Sequence, residues 1–166
     1  SLNYGASTGS INPMMLKNAG AKYVILGHSE NRVSGETDKL INAKIKSATK
    51  SGLKVIFCIG ETLSQKRKKI TKRVLSKQIK LGLNKVQKKN IIIAYEPVWS
   101  IGTGIIPKSN ELLKTINFIK NKVKNNKVLY GGSVNPKNIE DLKSISNIDG
   151  FLIGGASQEA KKFIDI

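Results

Sequence analysis

Five short runs of Val, Ile, Leu, Phe and Tyr recur along the chain, at Lys22–Gly27, Lys54–Gly60, Ile91–Glu96, Lys127–Gly131 and Gly150–Gly154. Each ends in glycine or a polar group. None alternates strictly, as expected of strands covered on both faces. Between them lie helical patterns around Thr37–Lys50, Leu63–Lys88, Ser109–Lys124 and Pro136–Ser144, with shorter ones at Pro13–Asn18 and Gln158–Ile164. Strand and helix in alternation predict a parallel sheet in an α/β fold. No Pro/Ser-rich linker divides the 166 residues, so one domain over 1–166 is expected. Glycine and polar residues gather at the carboxyl ends of the runs, where α/β proteins build their sites. A doubly wound sheet stays open, although no strand leads into its G-x-G-x-x-G fingerprint and there is no Walker phosphate loop.

The net charge of +18 raises the question of nucleic acid. Residues 62–89 hold eleven Lys or Arg and no acid. Leu75, Ile79, Leu83 and Val86, flanked by Ile70 and Val74, run through that stretch at helical spacing. The pattern is an amphipathic helix with its charges in water. Aromatic residues make up 5% and do not interleave with the basic run, so stacking platforms for bases are missing and no nucleic-acid partner is expected. No apolar run approaches the roughly 20 residues that cross a bilayer, and no signal-like segment opens the chain. The one cysteine, Cys58, rules out an intrachain disulfide and suits a reducing cytoplasm.

Glu96 closes the run Ile91–Tyr95, too apolar to carry an idle carboxylate cheaply. Partial burial raises a carboxylate's proton affinity, which suits a general base; a salt-bridged strand-end acid is the plainer alternative. His28 is the only histidine, and lone histidines are more often structural. Here Ser29-Glu30 could open a helical turn directly after it, and a helix N-terminus favours a neutral, hydrogen-bond-donating ring. Ser100-Ile101-Gly102-Thr103-Gly104, Gly131-Gly132-Ser133 and Gly154-Gly155 are three glycine-rich exits whose backbone N–H groups could converge on an anion such as phosphate. Cys58 reads as a core thiol and Trp99 as a hinge-packing residue.

Together these segments resemble one family, triosephosphate isomerase. They are Gly5–Gly9, Tyr23–Glu30, Cys58–Glu61, Tyr95–Gly104, Tyr130–Pro136 and Asp149–Ser157, in the family's order across essentially the whole chain. The resemblance implies a TIM (β/α)8 barrel, here a partial barrel of about five parallel strands. It also implies a glycolytic and gluconeogenic isomerase interconverting dihydroxyacetone phosphate and glyceraldehyde 3-phosphate through an enediolate. Glu96 would move the proton between the two carbons and His28 would polarise the oxygens. Pro97–Pro107, with Pro97, Val98, Trp99, Ile101, Thr103 and Gly104, would form the lid. Gly102, Ser133, Gly154 and Gly155 would hold the phosphate, with Ser29, Glu30 and Thr8 in support. No metal or organic cofactor is implied, and the active form would be a homodimer with Thr8 inserted beside the partner subunit's Glu30.

Three departures accompany the resemblance. The family's first three strands, with a lysine and an asparagine of its site, precede the position of Ser1, so the chain as given is expected to be incomplete and inactive alone. Ser10 and Asn31 stand where the family often has a Glu–Arg pair across the dimer. Ile105-Ile106-Pro107 replaces the more common lysine-containing end of the lid. Another phosphate-binding barrel enzyme, or a non-enzymatic truncated chain, remains as an alternative.

Overall fold

The computed structural model describes residues 8–166, and of the Gly5–Gly9 segment Gly5, Ala6 and Ser7 lie outside the described residues. Among the described residues four parallel strands form one sheet: β1 (Tyr23–Leu26), β2 (Lys54–Ile59), β3 (Ile91–Tyr95) and β4 (Val128–Tyr130). Their spatial order is β1-β2-β3-β4, the same as their order in the chain. A doubly wound sheet reverses its strand order at a switch point. Here none occurs, and the strands follow one another as barrel strands do.

The connections carry the helices α1 (Pro13–Asn18), α2 (Ser29–Val33), α3 (Asp38–Lys50), α4 (Leu63–Arg67), α5 (Thr71–Gly82), α6 (Ser109–Val123), α7 (Ile139–Lys143) and α8 (Ala160–Ile164). The longer ones bury one stripe each: Ile41 and Ile45 from α3, Leu75 and Ile79 from α5, and Leu112, Ile116 and Ile119 from α6. These pack against Val55, Phe57, Ile91, Ile93 and Val128 of the sheet in a continuous core. Each such side chain, fully buried, contributes roughly 1.5–3 kcal/mol. β2 and β3 are buried on the helix face; on the other face Cys58 and Ala94 are buried and Ile56 and Ile92 half-buried. β1 departs from the expected two-sided burial: Tyr23 and Ile25, on the face away from the helices, are 46% and 47% exposed.

Two expectations are corrected. The single helix over Leu63–Lys88 is two helices. α4 opens on a Thr62–Gln65 capping box and stops at Lys68, and Lys69 takes the left-handed conformation (φ 56°) before α5 begins. A second left-handed lysine, Lys85 (φ 54°), follows α5. No glycine or proline marks the first stop, and at the second Gly82 is itself the last residue of α5; the apolar 3.6-residue period runs on through both. The fifth strand, Gly150–Gly154, shrinks to one bridge between Phe151 and Tyr130, with hydrogen bonds from Tyr130 N–H to the Gly150 carbonyl and from Leu152 N–H to the Tyr130 carbonyl. Gly150, at φ 153°, and Gly154, at φ −92° and ψ −100°, turn the backbone away from strand geometry on either side.

The ends of β2 and β3 touch. A Cβ placed on Gly60 would lie 1.7 Å from the Glu96 carbonyl oxygen. That oxygen is backbone and cannot rotate away. A Cβ on Gly82 would lie 2.3 Å from the Phe57 ring, which can shift. Gly60→Ala is therefore expected to destabilise by about 3 kcal/mol or more, and Gly82→Ala by about 1–3 kcal/mol. Urea midpoints of the two variants check the order; equal midpoints would contradict it.

Candidate active site

All four strand exits open on one end of the sheet. Gly27, at φ 76°, turns the chain out of β1 and sets His28 as the N-cap of α2. Its Nδ1 accepts the Glu30 N–H at 3.4 Å, so the ring proton lies on Nε2. Nε2 is 3.5 Å from Glu96 Oε1. Arg32, one turn into α2, locks this corner: Nε donates to the Gly27 carbonyl at 2.7 Å, and its NH2 group to the Cys58 carbonyl at 3.2 Å. Its NH1 group pairs with Asp38, at the start of α3, at 2.7 Å. One guanidinium thus ties the ends of β1 and β2 to α3.

Glu96 is 3% exposed. Its N–H donates to the Ile59 carbonyl at 2.8 Å, and Gly131 leaves room for its side chain, since a Cβ there would lie 2.8 Å from Glu96 Cγ. Burial pushes its carboxyl from the ordinary 4.5 up to about 6, against the opposing pull of His28, the Cys58 thiol and Arg32. Cys58 is buried as expected, and its own proton is held far more tightly than usual by burial and by the Glu96 carboxylate.

A cavity of about 640 Å³ brings together His28, Glu96, Ile101, Gly102, Ser133, Gly154 and Gly155. A Cβ on Gly102, Gly154 or Gly155 would meet nothing within 4 Å, so packing does not demand glycine there. Ser29, Glu30, Thr8, Pro97, Val98, Trp99, Thr103 and Gly104 do not line it.

The expected lid is a self-bonded loop. Val98–Ser100 forms a short 3-10 turn, and Gly102–Ile105 is exposed. The Thr103 hydroxyl donates toward the Trp99 and Ser100 carbonyls and accepts the Ile105 N–H. Trp99 is held from two sides: Nε1 donates to Glu61 at 3.0 Å, and Lys66 Nζ sits 3.8 Å above the ring. Glu61, 1% exposed, also accepts the Tyr95 hydroxyl at 3.2 Å, and burial raises its pKa. Sequence reasoning gave no role to Arg32, Glu61 or Lys66, and to Ser100 only a place in the glycine-rich lid segment, not the contacts of its hydroxyl. Only Glu61 left a signal there, as a second acid directly after a strand.

The triosephosphate isomerase family model matches residues 1–166. The chain belongs to the triosephosphate isomerase family. It is 44% identical over 174 residues to the triosephosphate isomerase of Thermodesulfovibrio yellowstonii, spanning 99% of this chain and 71% of that protein. To that of Carboxydothermus hydrogenoformans it is 46% identical over 178 residues, spanning 98% of this chain and 70% of that one. The crystal structure of triosephosphate isomerase from Bartonella henselae superposes with a TM-score of 0.89 at 39% identity, over 98% of this chain and 70% of that one. The partial-barrel reading agrees with this family, and an unrelated phosphate-binding barrel enzyme is set aside.

Because its folded pKa is raised, Glu96 favours the folded state below about pH 4.5, and that contribution is lost as pH rises through about 6. The loss amounts to something on the order of 2 kcal/mol. Glu96→Gln has no carboxyl to titrate. The stability difference between variant and wild type should therefore move in the variant's favour between pH 4.5 and 6 and level off above. Urea unfolding across that range checks it; a constant difference would mean that the carboxylate is not held in a dry site.

Proposed function

We propose that this chain carries the acid–base and phosphate-holding part of an isomerase that interconverts dihydroxyacetone phosphate and glyceraldehyde 3-phosphate. The observation that carries the reading is Glu96, buried, with its carboxyl raised to about 6, 3.5 Å from a histidine Nε2 in a cavity bordered by bare glycine backbone. Glu96 takes a proton from one substrate carbon and returns it to the next. A base with a pKa near the working pH is effective in both directions. His28 presents Nε2–H to the substrate oxygens and stabilises the charge that develops on them. Backbone N–H groups of Gly102, Ser133, Gly154 and Gly155 hold the phosphate.

The lid, Pro97–Pro107, closes over the substrate and keeps water from the enediolate, as is known of this family. The reading includes a homodimer in which a second copy covers the exposed Thr8 and Glu30, and a cytoplasmic setting. Among the described residues no helix is long and apolar enough to cross a membrane.

By the resemblance, a lysine and an asparagine of the site lie in the part of the family's length that these 166 residues do not span. The chain alone is expected to show no appreciable turnover, and supplying that segment in trans or by fusion is expected to restore it. In the restored enzyme Glu96→Gln should lower kcat by about 10²–10⁴-fold. A loss under about tenfold would remove Glu96 from the role of base.

Trp99 is the only tryptophan and is gripped by Glu61 and Lys66 at the root of the lid. A phosphate-bearing enediolate analogue is expected to shift its emission in the restored enzyme. An unchanged spectrum at saturation would count against movement at that hinge.

A further inference from the structure

Ser100, at the root of the lid, is fully buried, yet its hydroxyl joins three parts of the site. Oγ lies 2.5 Å from the Ile105 carbonyl oxygen, 3.1 Å from the Tyr130 hydroxyl and 3.3 Å from the Ser133 amide nitrogen. A serine hydroxyl has one proton to give and two lone pairs to accept with. The Ile105 carbonyl can only accept and the Ser133 N–H can only donate. The Ser100 proton therefore goes to Ile105, and Tyr130 must donate its own. All three valences are filled, and the assignment is forced. The backbone makes room for this cluster at Gly132, where a Cβ would lie 2.2 Å from the Tyr130 hydroxyl oxygen and 2.7 Å from Ser100 Oγ.

The partners belong to different parts. Ile105 is on the far side of the lid and Ser133 on the exit of β4. Thr103 bonds both the Ser100 carbonyl and the Ile105 N–H, so residues 99–105 are tied to Ser100 as one piece. Ser133 also lines the cavity. We propose that Ser100 is a positioning residue that couples anion binding at Ser133 to the lid, and this rests on reading the cavity as a phosphate site. A charged anion oxygen is a stronger acceptor than a neutral hydroxyl. It draws the Ser133 N–H away from Oγ, which cuts the backbone tether between the lid and the β4 exit. The lid is then held there by the Tyr130 hydroxyl alone and is free to reposition as one piece.

The test uses backbone amide NMR of the 166-residue chain as wild type, Ser100→Ala and Tyr130→Phe, with inorganic phosphate as the probe. Without phosphate, exchange of the Ser133 N–H with solvent should quicken about tenfold in Ser100→Ala, the effect of one hydrogen bond, and change far less in Tyr130→Phe. On titration of the wild type, the Ser133, Thr103 and Ile105 amides should shift along one binding curve. In Ser100→Ala, Ser133 should still shift while Thr103 and Ile105 stay put; in Tyr130→Phe all three should move together. Unaltered Ser133 exchange in Ser100→Ala, or lid amides that still follow Ser133 there, overturns the coupling. Tyr130→Phe uncoupling the lid as fully as Ser100→Ala does so too, because loosened packing would then explain both. Phosphate that moves none of Ser133, Gly154 and Gly155 sinks the anion reading itself, and the coupling with it.

Discussion

Much of the architecture around the site follows from keeping one carboxylate dry. A carboxylate taken out of water loses several kcal/mol of hydration unless its surroundings compensate. The chain places Glu96 one residue beyond a largely buried strand, so its side chain is nearly inaccessible although it borders the cavity. The neighbours are arranged accordingly. Gly60 lets the end of β2 reach the Glu96 carbonyl, and Gly131 lets the side chain lie across the start of the β4 exit. His28, the Cys58 thiol and Arg32 each pull its proton affinity down, and burial outweighs them. Arg32 serves twice, since the guanidinium that eases the charge also fixes the turn that presents His28.

The barrel-like strand order makes this arrangement possible. In a parallel sheet that never reverses its order, consecutive exits lie side by side at the same end. His28, Glu61, Glu96 and Ser133 therefore sit at neighbouring exits without any long excursion of the chain. The lid connects to the same row. Its root is anchored by Trp99 to the β2 exit and by Ser100 to the β4 exit, while its tip bonds mainly to itself.

How much of this the sequence discloses depends on whether the determinant is a pattern or a distance. The runs ending at Gly27, Gly60, Glu96 and Gly131 are legible because an apolar stretch closed by glycine or a charge is a strand exit in any parallel α/β protein. Ser29 at the start of α2 is legible for the same reason, the cap being local. The break at Lys69 is not, because a lysine in the left-handed region carries no compositional mark. Neither is the shortening of the fifth run, whose residues are as apolar as the others; its limits are set by the backbone angles of Gly150 and Gly154. Arg32 and the Ser100 hydroxyl escape notice for a third reason. Their partners are 26 residues away at Cys58 and 33 away at Ser133, and nothing in the local sequence points to either.

The two buried acids show why burial alone does not make a base. Glu61 and Glu96 both follow a strand end, both are nearly inaccessible, and burial raises both pKa values. Their surroundings differ in hydrogen-bond donors. Glu61 is bonded by the Tyr95 hydroxyl and the Trp99 indole, and its lone pairs are engaged in holding the root of the lid. Removing the acceptor from that cluster would leave two aromatic donors unpaired, which fixes Glu61 in place as a structural hydrogen-bond acceptor. Glu96 faces a thiol and an imidazole at 3.5 Å, and it lines the cavity where Glu61 does not. A carboxylate whose donors are few and weak keeps lone pairs for an incoming proton, and a pKa near 6 lets it release that proton again. On the proposed function, the chemistry belongs to the acid that the fold leaves unsaturated, while the acid it saturates anchors the root of the loop.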